Sequence, residues 1–292
     1  MFTKKNMLQD TTVLQTELFL IKVKTDGTLI IPEGFDLEEY SEFKYGSRKV
    51  VAKYAECISN YLQKNMILAN EGNNVLVTTT RKLIRQGVTS LVEELVKLIN
   101  FQNYQSNGQI VDMAQITIWT PTGEYGAKSE KERREIMAAS DFTIDSRAIT
   151  GKHVLIIDDL VASGQVRDRL IYTVKENLPK SCRFLSLTRI VSESGDFDPR
   201  IESVINRKII SSWQSVLRLC DIESYYLTSR LCKTVLGLDR KDLELLIDSL
   251  KHNILYEIIA QSICEGYFAI PEYKSNGDFL VNYLSERINK LS

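Results

Sequence analysis

Two adjacent aspartates, Asp158 and Asp159, follow the apolar run at residues 154–157 and precede a turn of small residues at 162–164. The run has the length and β-branching of a strand buried on both faces. The segment after the turn is amphipathic and predicts a helix, whose apolar side comprises Val166, Leu170, Ile171 and Val174. Strand, acidic pair, turn and helix in this order bring carboxylates and free backbone amides to one crevice of a parallel sheet. Such amides bind phosphate, and paired acids hold ribose hydroxyls or a divalent cation.

A second polar group follows the strand predicted at residues 74–77. It consists of Thr78, Thr79, Thr80, Arg81 and Lys82. The hydroxyls and backbone amides of this segment could donate hydrogen bonds to a pyrophosphate, and either cation could offset its charge. Alternatively, the threonines only finish a strand and the two cations begin a solvated helix.

The acidic segment resembles the phosphoribosyl-pyrophosphate (PRPP) binding motif of type I phosphoribosyltransferases. That motif has four apolar residues, two acids, three variable positions, and then a small or hydroxyl residue followed by glycine. Asp158, Asp159, Ser163 and Gly164 match it in type and spacing, whereas Gln165 and Val166 are less typical. The resemblance covers roughly residues 45–200. Acid pairs also follow strands in response-regulator-like and haloacid-dehalogenase-like sheets, but those place the acid in the N-terminal half of the chain.

The resemblance implies a role for each group. Asp158 and Asp159 would hold the ribose 2′ and 3′ hydroxyls, directly or through Mg²⁺. Pyrophosphate would be held by Mg²⁺ with the segment 78–82, in which Arg81 and Lys82 are the catalytic cations. The 5′-phosphate would lie on the loop formed by Leu160, Val161, Ala162, Ser163, Gly164, Gln165 and Val166. Displacement at C1 by a ring nitrogen of an acceptor would then give a nucleotide-type product and pyrophosphate.

A long polar stretch, residues 120–147, follows the strand predicted at 115–119 and contains the charge run KSEKERRE at 128–135. In the family this region is a hood that closes over PRPP and excludes water from the reacting centre. A hood cation could neutralise the developing pyrophosphate charge. The candidates are Lys128, Lys131, Arg133 and Arg134. A solvated helix face is the alternative for each of them.

The acceptor stays open at this stage. In 6-oxopurine members of the family an acid lies at the position of Ala162, and its absence argues against hypoxanthine or guanine. Alanine there is shared with adenine-specific members, while the missing hydroxyl at Val166 is shared with orotate-specific members. The C-terminal region could supply acceptor contacts, for which the candidates are Tyr225, Tyr226, Arg230, Tyr267 and Tyr273.

The order of elements predicts an α/β fold with a doubly wound parallel sheet of the type I phosphoribosyltransferase kind and a C-terminal helical domain. A β-hairpin is predicted at residues 16–31, a helix at 48–63, and parallel strands near 75, 115, 154 and 183. Residues 188–198 are predicted as a strand end and a loop. We place the domain boundary near residue 200, with 1–200 as the α/β domain and 201–292 as the helical domain. Helices are predicted there at 201–209, 216–236, 239–262 and 278–291.

Composition narrows the classes of function. The formal net charge of −1 over 292 residues gives no basic field that would favour nucleic acid. No apolar run approaches the roughly 20 residues of a membrane span, and the N-terminal segment lacks the apolar core of a signal peptide. Five scattered cysteines without CxxC spacing indicate reduced thiols of a cytoplasmic protein, and two histidines argue against a His-rich metal site.

Three functional hypotheses follow. The first is a Mg²⁺-dependent phosphoribosyltransferase of nucleotide metabolism, which uses PRPP and a small-molecule acceptor. The second is a non-catalytic PRPP- or nucleotide-sensing module, and the third is a stress or defence effector that acts on nucleotides. FKYG at residues 43–46 and the segment 265–280 are similar to bacterial stress- or defence-associated phosphoribosyltransferases. Because members of the family are commonly dimers, the resemblance also implies a homodimer.

Overall fold

The computed structural model describes residues 13–68, 72–106, 108–120, 125–193, 195 and 198–289. Among these residues, seven strands form one sheet. They are β1 Leu14–Val23, β2 Leu29–Ile30, β3 Asn74–Thr80, β4 Asp112–Trp119, β5 Asp141–Thr143, β6 His153–Val161 and β7 Ser181–Ser192. The helices of the α/β part are α1 Leu37–Lys44, α2 Arg48–Lys64, α3 Gly87–Gln105, α4 Glu130–Ala138 and α5 Gln165–Lys175.

The strand order is β2-β1-β7-β6-β3-β4-β5, in which β1, β7, β6, β3 and β4 run parallel and both edge strands are antiparallel. Every residue of β3 is buried because helices cover both faces of the sheet. Leu76 faces a core cluster that includes α2 and α3, whereas Val75 and Val77 face a second cluster that includes Leu170 of α5. The doubly wound α/β fold predicted from the sequence is confirmed.

The N-terminal strand has a second partner that the sequence did not indicate. The predicted hairpin is present, since Lys22 pairs with Ile30 and Val23 with Leu29. However, β1 also pairs in parallel with β7 from Leu14↔Arg183 to Val23↔Ser192. Residues 188–198 were predicted as a strand end and a loop, and β7 ends within them at Ser192. The strand continues to this residue because β1 gives the end of β7 a hydrogen-bonding partner on its outer edge.

The C-terminal part consists of α6 Ile201–Asn206, α7 Trp213–Leu219, α8 Ser229–Leu236, α9 Arg240–Ser249, α10 His252–Cys264 and α11 Pro271–Asn289. The helix predicted at 216–236 is in fact α7 and α8, separated by a segment that pairs with the α/β part. The helix predicted at 239–262 is divided at Leu250, which has extended backbone. The last helix begins at Pro271 rather than at residue 278, because proline is well suited to a first helical position. No helix in the described part of the chain has the length and hydropathy of a membrane span.

The two parts share one buried junction. Tyr45 and Ile84 belong to the α/β part of the chain, but they lie in the hydrophobic core of the C-terminal helices. The amide of Tyr226 donates to the carbonyl of Gly46 at 2.8 Å, and the amide of Ser229 donates to that of Arg85 at 3.0 Å. The helical part therefore packs directly against the elements that lead into α2 and α3.

Gly46 has a backbone φ of +91°, and a Cβ built there would lie 2.7 Å from the Tyr226 carbonyl oxygen and 2.8 Å from Thr228 Cγ2. We expect Gly46→Ala to lower the free energy of unfolding by about 2–4 kcal/mol, since it adds a backbone clash to the strain of positive φ. Gly27→Ala is the matched control, because Gly27 has φ +84° with nothing within 4 Å of the added Cβ. Urea unfolding measures both values, and equal losses for the two variants would contradict this account of the junction.

Candidate functional site

The carboxyl ends of β3, β4 and β6 meet at a cleft whose opposite wall is α8. The sheet supplies the acid pair and the turn that follows it, and the helical part supplies a polar helix face. Residues that line the cleft include Lys44, Thr79, Arg81, Thr120, Arg133, Asp158, Asp159, the run 160–164, Val166, Arg167, Glu202, Ser229, Arg230, Lys233 and Thr234. The structure thus brings together groups from distant parts of the chain.

The acid pair is buried inside a longer strand than the sequence indicated. Strand β6 extends to Val161, so Asp158 and Asp159 are followed by two more strand residues. Each aspartate is 7% exposed. The amide of Asp159 donates to Asp158 Oδ1 at 3.0 Å. Two adjacent buried carboxylates require compensation, because burial strongly disfavours the charged form of each group.

Lys44 supplies that compensation, although no role was predicted for it from the sequence. Its Nζ lies 2.5 Å from Asp159 Oδ2, with 12% of the lysine and 10% of the aspartate side chain exposed. Lys44 is the last residue of α1 and part of the FKYG segment. The FKYG segment stands out in the sequence, but nothing in it indicates that its lysine contacts a residue more than a hundred positions away.

The pKa of Asp158 is raised from 3.8 to about 7. Burial is the largest cause, the neighbouring charge of Asp159 raises the pKa further, and Lys44 lowers it. A carboxyl group in this state exchanges a proton near neutral pH. A cation placed beside this group would lower its pKa, since the cation favours the ionised form.

The turn after β6 leads directly into the N-terminus of a helix. Gly164 has φ +79° and is the N-cap of α5, so the first amides of α5 have no intrahelical acceptors. Leu160, Val161, Ala162, Ser163, Gly164 and Val166 all line the cleft, whereas the side-chain Nε2 of Gln165 donates to Glu130 Oε1 at 2.6 Å. The predicted loop and the predicted acid pair therefore share one cavity. Arg167, which was not predicted, also lines the cleft, and it is paired with Asp168.

The predicted pyrophosphate segment is not a loop throughout. Thr78, Thr79 and Thr80 are the last residues of β3 and are buried. The hydroxyl of Thr78 donates to the Val88 carbonyl at 3.4 Å, and that of Thr79 donates to Gln86 Oε1 at 3.2 Å. The hydroxyls of Thr78 and Thr79 are therefore bonded within the protein, and of the three threonines only Thr79 lines the cleft.

The two cations after these threonines differ in position. Arg81 lines the cleft, and its Nη1 donates to the Ile118 carbonyl and to Thr120 Oγ1, each at 3.1 Å. Lys82 is exposed and does not line the cleft. Neither residue begins a helix, because α3 starts only at Gly87. Burial lowers the pKa of the Arg81 guanidinium.

The predicted hood contains a short helix, α4, and the edge strand β5; residues 121–124 of it lie outside the described ranges. Arg133 is 1% exposed, and its guanidinium donates to Glu202 and to the carbonyls of Lys128, Gly126 and Pro199. This bonding connects α4 to the start of the helical part. Lys128 pairs with Glu272, Arg134 pairs with Glu130, and Lys131 is exposed. Of the four candidate hood cations, only Arg133 lines the cleft, and it is engaged in these contacts.

The candidate acceptor contacts of the C-terminal part lie in different places. Tyr225 and Tyr273 are buried in the helical core, and the ring of Tyr226 lies 4.1 Å from the Arg48 guanidinium carbon. Tyr267 borders a neighbouring cavity. Arg230 alone of the five lines the main cleft. Lys233, one helical turn further along α8, also lines it and was missed, because no motif marks a lysine in an amphipathic helix.

The donor set of the cleft suits Mg²⁺ but not a metal held by protein ligands alone. No group of three or more His, Cys, Asp or Glu side chains in the described part of the chain could hold a metal ion. Mg²⁺ is commonly bound by one or two carboxylates together with substrate phosphates and water. Asp158 and Asp159 provide such a pair beside the turn that leads into α5.

A parallel sheet with an acid pair and a phosphate-type turn at the end of its central strand defines a protein of the type I phosphoribosyltransferase fold. Residues 17–280 match the sequence profile of the family described as PRTase ComF-like. The chain belongs to this ComF-like phosphoribosyltransferase family. None of the curated proteins matches it significantly.

Solved structures with a similar arrangement include several purine phosphoribosyltransferases. A hypoxanthine-guanine phosphoribosyltransferase from Bacillus anthracis is 19% identical, with 53% of this chain and 70% of that chain covered and a TM-score of 0.32. A purine phosphoribosyltransferase from Pyrococcus horikoshii is 15% identical, with 50% and 89% covered and a TM-score of 0.29. The hypoxanthine phosphoribosyltransferase from Trypanosoma cruzi in complex with IMP is 19% identical, with 53% and 68% covered and a TM-score of 0.29. Similarities this distant assign no substrate.

The raised pKa of Asp158 predicts a specific pH dependence of stability. A carboxyl whose pKa rises from 3.8 to about 7 on folding stabilises the folded state fully below pH 3.8, and this contribution is lost as the pH rises through 7. We expect Asp158→Asn to remove the loss, so that the variant gains stability over the wild type between pH 5 and pH 8, by at most about 3 kcal/mol. Urea unfolding at both pH values measures the difference.

Asp278→Asn is the control for this measurement, because Asp278 is exposed on α11. Its effect should be the same at pH 5 and pH 8. A difference between Asp158→Asn and the wild type that does not change with pH would show that the Asp158 carboxyl is not perturbed by its burial.

Proposed function

We propose that this protein binds PRPP together with Mg²⁺ and transfers its ribose 5-phosphate to a nucleobase-like acceptor, with release of pyrophosphate. The observation that carries the proposal is the buried pair Asp158–Asp159 beside the turn at residues 162–166, both in one cleft at the carboxyl ends of the strands. PRPP carries vicinal ribose hydroxyls and a 5′-phosphate on the same sugar. The hydroxyls could donate to the acid pair while the phosphate accepts from the amides of the adjacent turn.

Each part of PRPP has a complementary group in the cleft. The 5′-phosphate fits the turn that ends at Gly164, where the helix N-terminus of α5 presents unbonded amides. The ribose hydroxyls would donate to Asp158 and Asp159, which would also hold Mg²⁺. The diphosphate would then extend from C1 toward the end of β3, where Arg81 lines the cleft.

The transfer itself needs no covalent chemistry from the protein. A ring nitrogen of the acceptor supplies the electron pair for a new bond to C1, and the bond from C1 to the diphosphate oxygen breaks with its pair on that oxygen. A proton carried by the ring nitrogen passes to solvent. Cations near the leaving oxygens stabilise the charge that develops there, and Mg²⁺ bound beside the acid pair would contribute to this stabilisation.

A second candidate is PRPP binding without turnover, as in a sensing module. One observation favours it: Lys44 is paired with Asp159, one of the two acids that would receive the ribose hydroxyls. Binding of PRPP would have to replace this ion pair or include the lysine in the bound state. Ligand-dependent breaking of a buried ion pair is a means by which binding changes the packing of α1 against the cleft.

The binding proposal predicts a direct loss on removal of the acid charges. We expect the double variant Asp158→Asn, Asp159→Asn to lose PRPP affinity by more than about 100-fold, because each carboxylate makes charge-assisted hydrogen bonds or metal contacts. Isothermal titration calorimetry with PRPP and Mg²⁺ measures the affinity, and the exposed Asp278→Asn should bind as the wild type does. Unchanged affinity in a folded double variant would contradict both candidate functions.

Turnover separates the two candidates. We expect pyrophosphate to be released when the wild-type protein is incubated with PRPP, Mg²⁺ and a panel of purine, pyrimidine and pyridine bases, and no release from the double variant. A coupled phosphate assay with pyrophosphatase detects the product. If PRPP binds but no base yields pyrophosphate, the enzyme proposal is wrong and the sensing module is the better account.

A further inference from the structure

The loop after β3 has few free donors for a diphosphate. Glu265 Oε1 accepts from the amides of Leu83 and of Ile84, the latter at 2.9 Å, so a carboxylate of the helical part already occupies these amides. The amide of Arg81 donates to the Ile84 carbonyl at 3.3 Å. The guanidinium of Arg81 is therefore the main anion-binding group that this loop offers to the cleft.

Arg81 itself has donor capacity left over. Its Nε is buried and has no hydrogen-bond partner in the described part of the chain, while its Nη1 is bonded to Ile118 and Thr120. A buried guanidinium with an unbonded donor is costly unless an acceptor arrives from elsewhere. A diphosphate oxygen in the cleft would be such an acceptor.

Cations from both parts of the chain line the cleft. Arg81 follows β3, and Arg230 and Lys233 lie on α8. Lys44, Arg133 and Arg167 also line the cleft and are paired with Asp159, Glu202 and Asp168. Cations on two elements that line one cavity can contact a multiply charged anion together.

Helix α8 is oriented so that one face covers the cleft. Ser229, Arg230, Lys233 and Thr234 have the spacing of one helix face, and all four line the cavity. Arg230 also lies close enough to Arg81 for its charge to lower the pKa of that guanidinium, although burial is the larger cause. The Lys233 ammonium lies 5.0 Å from the centre of the Tyr267 ring, at the border between the main cleft and the neighbouring cavity.

The orientation of α8 is held by contacts with the α/β part. The hydroxyls of Tyr45 and Thr234 lie 2.9 Å apart within the buried junction. Thr228 caps the helix by accepting from the amide of Leu231, and it forms a bridge with Arg85 in the loop after β3. The helix is thus bonded to the same loop that carries Arg81, and these contacts limit movement of Arg230 and Lys233 relative to Arg81.

We propose that Lys233 and Arg230 of α8, together with Arg81, bind the diphosphate of PRPP, so that the C-terminal helical part supplies the leaving-group cations in place of residues 128–134. This inference rests on the proposed PRPP function. It makes Lys233 and Arg230 catalytic residues that contact the leaving group, and it makes Glu265 a positioning residue that holds the loop carrying Arg81.

The test uses three ligands that share parts of PRPP. The full chain is titrated by calorimetry with PRPP, with pyrophosphate and with ribose 5-phosphate, each in the presence of Mg²⁺. We expect Lys233→Met to weaken binding of PRPP and pyrophosphate by about 10- to 100-fold, the usual effect of losing a charged hydrogen bond, with ribose 5-phosphate unaffected. Lys233→Arg should retain most of the affinity, because it retains the charge.

Lys241→Met is the matched control, since Lys241 is an exposed lysine of α9 away from the cleft. Urea unfolding of each variant shows whether the fold is retained. If Lys233→Met and Arg230→Met bind PRPP and pyrophosphate as tightly as the wild type, or lose ribose 5-phosphate to the same degree, the inference is overturned while the PRPP function stands. If the wild-type protein binds neither PRPP nor ribose 5-phosphate, the proposed function and the inference are both wrong.

Discussion

The cleft depends on the stabilisation of two carboxylates that are buried side by side in β6. Burial of such charges is unfavourable by several kcal/mol each unless partners compensate. Lys44 compensates Asp159, and Asp158 responds instead with a pKa raised to about 7. A carboxyl group whose pKa is near 7 is partly ionised at neutral pH, and its ionised form can bind a cation or accept a hydrogen bond. The lysine is therefore a precondition for the acid pair to remain in a packed sheet.

The position of Lys44 involves the whole FKYG segment at residues 43–46. Phe43 packs edge-to-face on Tyr54 in the α/β core, with ring centroids 5.4 Å apart. Tyr45, next to the lysine, is fully buried in the helical core, and Gly46 lets the chain pass close to Tyr226. Phe43, Lys44 and Tyr45 thus contact, in turn, the α/β core, the acid pair and the core of the C-terminal helices. The segment explains why the helical part covers the cleft instead of extending away from it.

Local signals in the sequence predicted the elements that are complete within a short segment. The β6–turn–α5 unit combines a buried strand, an acid pair and a positive-φ glycine within about twenty residues. Its order of strand, turn and helix was predicted correctly, although β6 continues to Val161. The parallel pairing of β1 with β7 could not be predicted, because it joins residues near opposite ends of the α/β part. Arg133 is a charged residue in a polar run, so the sequence does not show its buried contacts with Glu202 and Pro199. Lys44 and Lys233 carry no motif at all, and their importance comes from what the fold places opposite them.

The junction at Tyr45 has a consequence for synthesis of the chain on the ribosome. The hydroxyl of Tyr45 meets Thr234, which lies 189 residues later in the sequence. At about 5–20 residues per second, its partner emerges on the order of 10–40 s after Tyr45 itself. During this interval a large aromatic side chain that ends fully buried has no helical core to enter. The nascent α/β part therefore exposes an apolar surface until the helices that cover it have been synthesised, and chaperones that recognise such surfaces have time to bind it.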